Sequence, residues 1–98
     1  MRNSWAAEST MLVSIDGRVL GADGSALACR WIRFVSADGF APVQCLTEDD
    51  GSFSTANAHD AEFDVYLLTP GADGLLAEGA KLGRCRGGAK GVELRVPR

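Results

Sequence analysis

The sequence predicts an all-β fold in which seven short strands form an antiparallel sandwich. Apolar residues occupy every second position in several short runs, which is the pattern of a strand with one buried face. Turn signals rich in Gly and Asp separate these runs at intervals of roughly 8 to 12 residues, as in sandwich folds. We find neither an internal repeat nor a helical period of useful length. At 98 residues, the chain is expected to form one domain over 11–98 after an N-terminal arm over 1–10.

The first two predicted strands are residues 11–20 and 28–36, joined by a turn at 21–25. Asp-Gly in this turn supplies the positive φ that a tight reversal needs. In the first strand the inward residues are Met11, Val13, Ile15 and Val19. In the second strand the inward residues are Ile32 and Phe34, and the outward residues are Trp31, Arg33 and Val35. Each strand therefore has one face that can be buried.

The dipeptide Asp38-Gly39 is the strongest hairpin signal in the chain and predicts a two-residue type I′ turn. Pairing across this turn puts Phe34 opposite Val43 and Ile32 opposite Cys45. The apolar residues of both strands then lie on one face, as a buried face requires. The apolar pattern and the turn chemistry therefore predict the same register.

The segment 47–53 is a further turn with three consecutive acidic residues. A three-residue loop over 49–51 puts Phe53 opposite Thr47, so that Phe53 enters the core. The three carboxylates are also candidate calcium ligands. A dedicated calcium site needs about six to eight oxygen ligands, normally in a longer loop. We therefore assign the carboxylates to the turn and expect no metal site.

The C-terminal half contains three predicted strands, over residues 62–69, 75–82 and 91–96. A polar loop over 56–60 precedes the first of them, and a glycine-rich basic loop over 83–91 precedes the last. In the first of these strands the inward residues are Phe63, Val65 and Leu67, and the outward residues include Tyr66 and Leu68. The middle strand has the weakest pattern.

Composition excludes several classes of protein. No run approaches the roughly 20 apolar residues that a membrane span needs, and residues 1–10 lack the apolar centre of a secretory signal. We expect synthesis in the cytoplasm without a signal peptide, and no membrane contact. The cysteines Cys29, Cys45 and Cys85 are odd in number and widely spaced, unlike a disulfide framework or a paired zinc site. We expect reduced thiols, with Cys45 in the core.

The net charge of −3 hides an asymmetry along the chain. Residues 81–98 carry six basic residues against one acidic residue, which gives +5, so the remainder sums to −8. Such a basic segment can face an acidic partner, nucleic acid or the acidic loops of a second copy, or it can be a solvated strand. We do not expect a nucleic-acid partner.

Several turn and core motifs together resemble those of a known domain family. They are Gly17-Arg18-Val19, Asp23-Gly24-Ser25-Ala26-Leu27, Ile32 with Phe34, the turn 47–53, and Phe63-Asp64-Val65-Tyr66-Leu67. This set resembles the carboxypeptidase regulatory-like domain, a transthyretin-like, Ig-like β-sandwich, over roughly residues 13–68. The resemblance implies that the acidic turn carries the chain from one sheet to the other. It also implies that the strands of Trp31, Leu46 and Tyr66 lie side by side.

The sequence contains no arrangement typical of a catalytic site. The single histidine, His59, lies in a predicted polar loop without a serine or cysteine motif around it. We therefore expect neither an enzyme nor a cofactor. An enzyme would require a cleft that brings His59 next to Cys29, Cys85 or several carboxylates.

The outward faces carry large apolar residues, which are typical of contact surfaces. The candidate contact residues are Trp5 in the arm and Trp31, Arg33, Val35, Leu46, Tyr66 and Leu68 on the sheet. The first hypothesis is a non-catalytic interaction module that binds a protein partner, or further copies of itself, within a larger assembly. A decoration subunit of a phage virion or a secretion-apparatus adaptor would be of this kind.

Other interpretations of these outward residues stay open. Exposed Trp and Tyr also stack on sugar rings, so the alternative function is a carbohydrate or small-ligand binding module. The arm or the glycine-rich loop can also fold back and cover the face. An error in the predicted register would remove the face altogether.

Overall fold

The computed structural model describes residues 12–97 and contains seven strands in two sheets. The strands are β1 (Val13–Leu20), β2 (Trp31–Ser36), β3 (Val43–Leu46), β4 (Ser52–Ala58), β5 (Glu62–Pro70), β6 (Leu76–Arg86) and β7 (Val92–Arg95). One sheet has the order β4-β1-β7, and the other has the order β3-β2-β5-β6. The predicted all-β class and the number of strands are confirmed. Within 12–97, no helix has the length and hydropathy to cross a membrane.

The core consists of apolar side chains from both sheets, as in a β-sandwich. The three-stranded sheet contributes Ile15, Val19, Phe53 and Leu94, and the four-stranded sheet contributes Ile32, Phe34, Phe63 and Val65. Phe34 contacts aromatic neighbours from both sheets, with ring centroids 5.7 Å from Phe53 and 6.3 Å from Phe63. The inward positions predicted for β1, β2 and β5 are thus confirmed, except that Met11 lies outside the described residues.

The prediction of a purely antiparallel fold is wrong, because β7 runs parallel to β1. Gly17 faces Val92 in this pairing, and Val19 faces Leu94. The chain leaves β6 in the four-stranded sheet and enters β7 in the other sheet, where its neighbour is β1. A β-carbon on Gly17 would overlap the carbonyl oxygen of Val92. The close approach of the two strands therefore requires glycine at position 17.

The predicted register between β2 and β3 is confirmed, with Ile32 opposite Cys45 and Phe34 opposite Val43. The predicted type I′ turn, however, is wrong. A type I′ turn needs positive φ at both central residues, whereas Gly39 has a φ of 84° and Asp38 is not in the positive region. The Gly39 N–H donates to the Ser36 carbonyl (3.5 Å), so the reversal is centred one residue earlier.

Three loops share a five-residue turn that we did not recognise as a repeat in the sequence. They are 21–25, 48–52 and 71–75, each with Asp-Gly at the third and fourth positions. In each turn the glycine N–H donates to the first carbonyl (2.9–3.0 Å), and the first N–H donates to the fifth carbonyl (2.7–2.8 Å). The aspartate carboxylate accepts the fifth N–H at 3.0 Å. This side-chain bond explains why aspartate precedes the glycine each time.

The acidic turn carries the chain from β3 in one sheet to β4 in the other, as the family resemblance implies. The predicted three-residue loop over 49–51 is confirmed by the bond from the Glu48 N–H to the Ser52 carbonyl (2.8 Å). The predicted pairing of Phe53 with Thr47 is wrong, because Phe53 faces Gly17 across β4 and β1. Phe53 still enters the core.

Thr47 is buried and ties this corner to the loop before β2. Its hydroxyl donates to the Leu27 carbonyl (2.7 Å) and accepts the Arg30 N–H (2.9 Å). The Thr47 carbonyl accepts the Cys29 N–H (3.1 Å), and the Thr47 N–H donates to the Arg30 carbonyl (2.9 Å). Cys29 and Arg30 thus oppose one residue, which is a β-bulge. The bulge delays the start of β2 to Trp31, later than predicted.

Two predicted loops are partly strand. β4 continues to Ala58, into the predicted loop 56–60, and β6 continues to Arg86, into the predicted loop 83–91. β6 extends this far because Phe63 pairs with Cys85 and Glu62 pairs with Arg86. Small and basic residues on an edge strand carry little apolar signal, so the pattern indicated a loop.

Candidate functional site

The outer face of the four-stranded sheet brings together contact residues predicted from the sequence. Trp31 faces Leu46 across β2 and β3, and Arg33 faces Tyr66 across β2 and β5. The expectation that the strands of Trp31, Leu46 and Tyr66 lie side by side is confirmed by the strand order. The predicted contact residue Trp5 lies outside the described residues.

The predicted contact residues differ in how much of each side chain is exposed. Trp31 is 41% exposed and Leu46 is 44% exposed. Arg33, Val35 and Tyr66 are half-buried. Leu68 is buried at 2% exposure, so its predicted role as an exposed contact is corrected. Alternation along a strand predicts on which side of the sheet a side chain lies. It does not predict how much of that side chain its neighbours leave exposed to solvent.

The structure adds an exposed apolar residue to this face that we did not predict. Leu76 is 40% exposed and pairs with Pro70, two residues beyond Leu68 on β5. Alternation along β5 puts Pro70 and Leu68 on the same side of the sheet, so Leu76 lies on the outer face as well. We refer to the three exposed residues Trp31, Leu46 and Leu76 as the apolar corner. The sequence signal was the Leu75-Leu76 pair directly after an Asp-Gly turn.

The remainder of the outer face is charged and internally paired. Arg33 contacts Glu78 (3.2 Å) and donates through Nε to Gln44 Oε1 (2.9 Å). Asp64 contacts both Arg84 (3.1 Å) and Lys81 (3.2 Å). Hydrogen bonds from Arg84 first and Lys81 second hold the pKa of Asp64 below its usual value. The face is therefore divided into an apolar end and an end with ion pairs between its strands.

Acidic partners for the basic C-terminal segment come from the chain itself. Besides the two contacts to Asp64, Arg86 contacts Asp60 (3.1 Å) and Glu62 (4.0 Å), and Lys90 contacts Asp16 (3.3 Å). The charge asymmetry along the sequence is thus largely balanced in space. These contacts favour the interpretation of the basic segment as a solvated strand over its interpretation as a binding surface for an acidic partner.

The three cysteines are free thiols. A hydrogen bond from Cys29 Sγ to Asp49 Oδ1 (3.4 Å) raises the pKa of the Cys29 thiol. Burial raises the pKa of Cys45 and Cys85 to about 11. Because the thiolate is the nucleophilic form, these pKa shifts lower the reactivity of all three side chains at neutral pH. The predicted position of Cys45 against the core is confirmed.

Cys29 occupies a backbone conformation that glycine adopts more readily, with a φ of 57°. We therefore expect Cys29→Gly to be about 1 kcal/mol more stable than Cys29→Ala, because a β-carbon in this region is strained. Both variants lose the thiol, so the comparison isolates the backbone. Urea unfolding gives the difference from the two midpoints. A Cys29→Ala variant as stable as Cys29→Gly would contradict the strain.

The single histidine of the chain lies against an aromatic ring. His59 stacks on Phe40, with ring centroids 4.2 Å apart and planes 15° apart. Cys29 precedes β2, whereas His59 precedes β5, and these two strands are antiparallel neighbours, so the two side chains lie at opposite ends of the sheet. Among residues 12–97, no group of three or more His, Cys, Asp or Glu side chains is placed to hold a metal ion.

A shallow groove of about 440 Å³ lies on the other sheet. Its side-chain lining includes Asp16, Arg18, Ser52 and Glu93. The carboxylate of Asp16 in this groove already has partners within the chain, because it accepts the Gly91 N–H (3.1 Å) and contacts Lys90. The lining of the groove is of mixed polarity, with Phe53 and Val92 beside the polar groups, and the groove is open to solvent. The apolar corner on the opposite sheet exposes larger apolar side chains and is the stronger candidate for binding.

Comparison with known proteins gives a likeness in fold. No protein-family profile and no curated protein matches the chain. A crystal structure of a 9R-lipoxygenase from Cyanothece PCC8801 is similar, with a TM-score of 0.55 and 16% sequence identity. The match covers 88% of this chain and 16% of that chain. At this identity the likeness shows a shared architecture alone.

Proposed function

We propose that the chain is a non-catalytic interaction module that docks onto a larger protein assembly through the apolar corner. The observation that carries the proposal is the exposure of Trp31 and Leu46 on adjacent strands, with Leu76 on the same face. Large apolar side chains that are clustered on a rigid sheet and exposed to water are typical of contact surfaces. Tryptophan in particular is enriched among the residues that dominate binding energy.

We place the module in the transthyretin-like, Ig-like class of sandwich, of the carboxypeptidase regulatory-like kind. Two features support this placement: the acidic corner between the sheets, and the adjacent strands of Trp31, Leu46 and Tyr66. An accessory or decoration subunit of a phage virion, or an adaptor in a secretion apparatus, would be a protein of this kind. Its contact surface would be rigid, because it lies on strands.

Carbohydrate binding is the competing function. Its support is Trp31 beside the Arg33–Glu78 pair, since sugar sites combine an aromatic platform with charged hydrogen-bonding groups. The leucines Leu46 and Leu76 favour a protein partner, because an aliphatic side chain offers no ring for a sugar to stack on. Loss of binding to a glycan array on Trp31→Ala would favour the carbohydrate function.

We expect the Trp31→Ala/Leu46→Ala variant to bind its assembly about 30-fold more weakly than the wild-type chain, as for residues at the centre of an interface. Co-sedimentation with purified virions or secretion complexes of the source organism measures the binding. The matched control is Phe40→Ala, which removes an aromatic side chain of similar exposure (40%) in the loop after β2. A monomeric double variant that binds every such assembly normally would refute the proposal.

A further inference from the structure

We infer that the segment of the partner protein that binds the apolar corner is basic as well as apolar. This inference rests on the proposed docking function and specifies the chemistry of the partner. The apolar corner provides a site for an aromatic or aliphatic anchor. The charges around the corner indicate which residues flank that anchor.

Carboxylates from two turns, 48–52 and 71–75, lie beside the apolar corner. Glu48 lies two residues beyond Leu46. Asp49 accepts a hydrogen bond from Cys29 (3.4 Å), two residues before Trp31. Asp73 lies in the turn that leads directly into Leu76, where it accepts the Leu75 N–H (3.0 Å). The chain thus places negative charge at three positions around one apolar surface.

These carboxylates differ from those along β5 and β6 of the same sheet, because they take part in no ion pair within the described residues. Asp60, Glu62, Asp64 and Glu78 all contact Lys or Arg side chains. In the part of the chain that the structure describes, Glu48, Asp49 and Asp73 take part in no ion pair. Arg30, next to Trp31, is the neighbouring cation, so the charges near the corner are three carboxylates and one guanidinium. The surroundings of the corner are therefore net negative.

Electrostatic complementarity selects a partner of the opposite sign. An acidic segment would be repelled on approach, whereas Lys or Arg beside an apolar anchor would be attracted by the unpaired carboxylates. A second copy of the chain fits less well, because five of the eight basic residues within 12–97 are already paired, namely Arg33, Lys81, Arg84, Arg86 and Lys90. The occupant that fits is a segment of another protein with a large apolar side chain flanked by Lys or Arg.

A library of random peptides displayed on phage tests this inference with the full chain immobilised. Peptides that also bind the Trp31→Ala/Leu46→Ala variant are removed. We expect the remaining peptides to combine an aromatic or leucine anchor with flanking Lys or Arg. A synthetic peptide from this set should bind about fivefold more weakly to Glu48→Gln/Asp49→Asn than to the wild-type chain, and more weakly at 500 mM than at 50 mM NaCl.

The charge control is Asp38→Asn/Glu93→Gln, which removes the same number of exposed carboxylates elsewhere and should leave the affinity unchanged. Thermal melting of each variant verifies that it is folded. Corner-dependent peptides that are acidic or uncharged would overturn the inference while the docking function stands. The absence of any corner-dependent peptide would overturn both.

Two further outcomes would identify a different occupant and so overturn the inference. A dimer in light scattering that becomes a monomer in Trp31→Ala/Leu46→Ala would identify a second copy of the chain. Peptides that bind only after residues 1–10 are deleted would identify the chain's own N-terminal segment. Both measurements use the same variants as the selection.

Discussion

Gly17→Ala should lower the free energy of unfolding by about 3 kcal/mol or more, at or beyond the upper end of the usual cost of overpacking. The added β-carbon would overlap the carbonyl oxygen of Val92, which belongs to the neighbouring backbone and not to a side chain that can rotate away. The strands β1 and β7 would have to separate. Urea unfolding followed by tryptophan fluorescence measures the loss.

Gly39→Ala is the control for a glycine substitution without an overlap. Gly39 has a φ of 84°, and a β-carbon there would have no neighbour within 4 Å. Its expected cost is about 1–2 kcal/mol, from backbone conformation alone. If Gly17→Ala were the milder of the two substitutions, the close parallel pairing of β1 and β7 would be refuted.

We expect Phe53→Ala to cost about 3–5 kcal/mol, as for other buried phenylalanines. Phe53 is the first core residue after the chain crosses between the sheets, and its ring packs against Phe34 with centroids 5.7 Å apart. For a domain of this size the melting temperature should fall by more than about 12 °C. Differential scanning calorimetry measures both the midpoint and the cooperativity of the transition.

Phe40→Ala is the matched control for this substitution, since Phe40 is exposed and stacks on His59 at the surface. We expect it to change stability by less than about 1 kcal/mol, because little buried area is lost. Equal losses from Phe53→Ala and Phe40→Ala would show that Phe53 does not anchor the corner in the core.

Local patterns predicted the parts of the fold that depend on residues near each other in sequence. Pairing across Asp38-Gly39 placed Phe34 opposite Val43, because a slip of one residue would have exposed the apolar face. The turn type was wrong, since a type I′ turn needs positive φ at both Asp38 and Gly39, whereas of these two residues Gly39 alone has it. Both geometries are compatible with the same dipeptide. The register was therefore better determined than the geometry of the turn.

Contacts between distant segments could not be predicted in this way. The alternation of Val92 and Leu94 indicates a strand but not its neighbour, so the parallel pairing with β1 was missed. For the candidate site, Trp31 and Leu46 followed from alternation, whereas Leu76 depends on how β6 pairs with β5. The register of that pairing shifts on both sides of Tyr66. Such shifts have no clear sequence signal.

The parallel pairing of β1 and β7 has a consequence for how the protein is made. The Gly91 N–H donates to Asp16 across 75 residues of sequence, and β1 lies between β4 and β7. In a nascent chain whose residues 92–95 are still inside the ribosome, one edge of β1 has no partner strand. Val19 then lacks its neighbour Leu94. Folding of this sheet should therefore finish only after synthesis of β7, and chains stalled before β7 should be targets for chaperones and proteases.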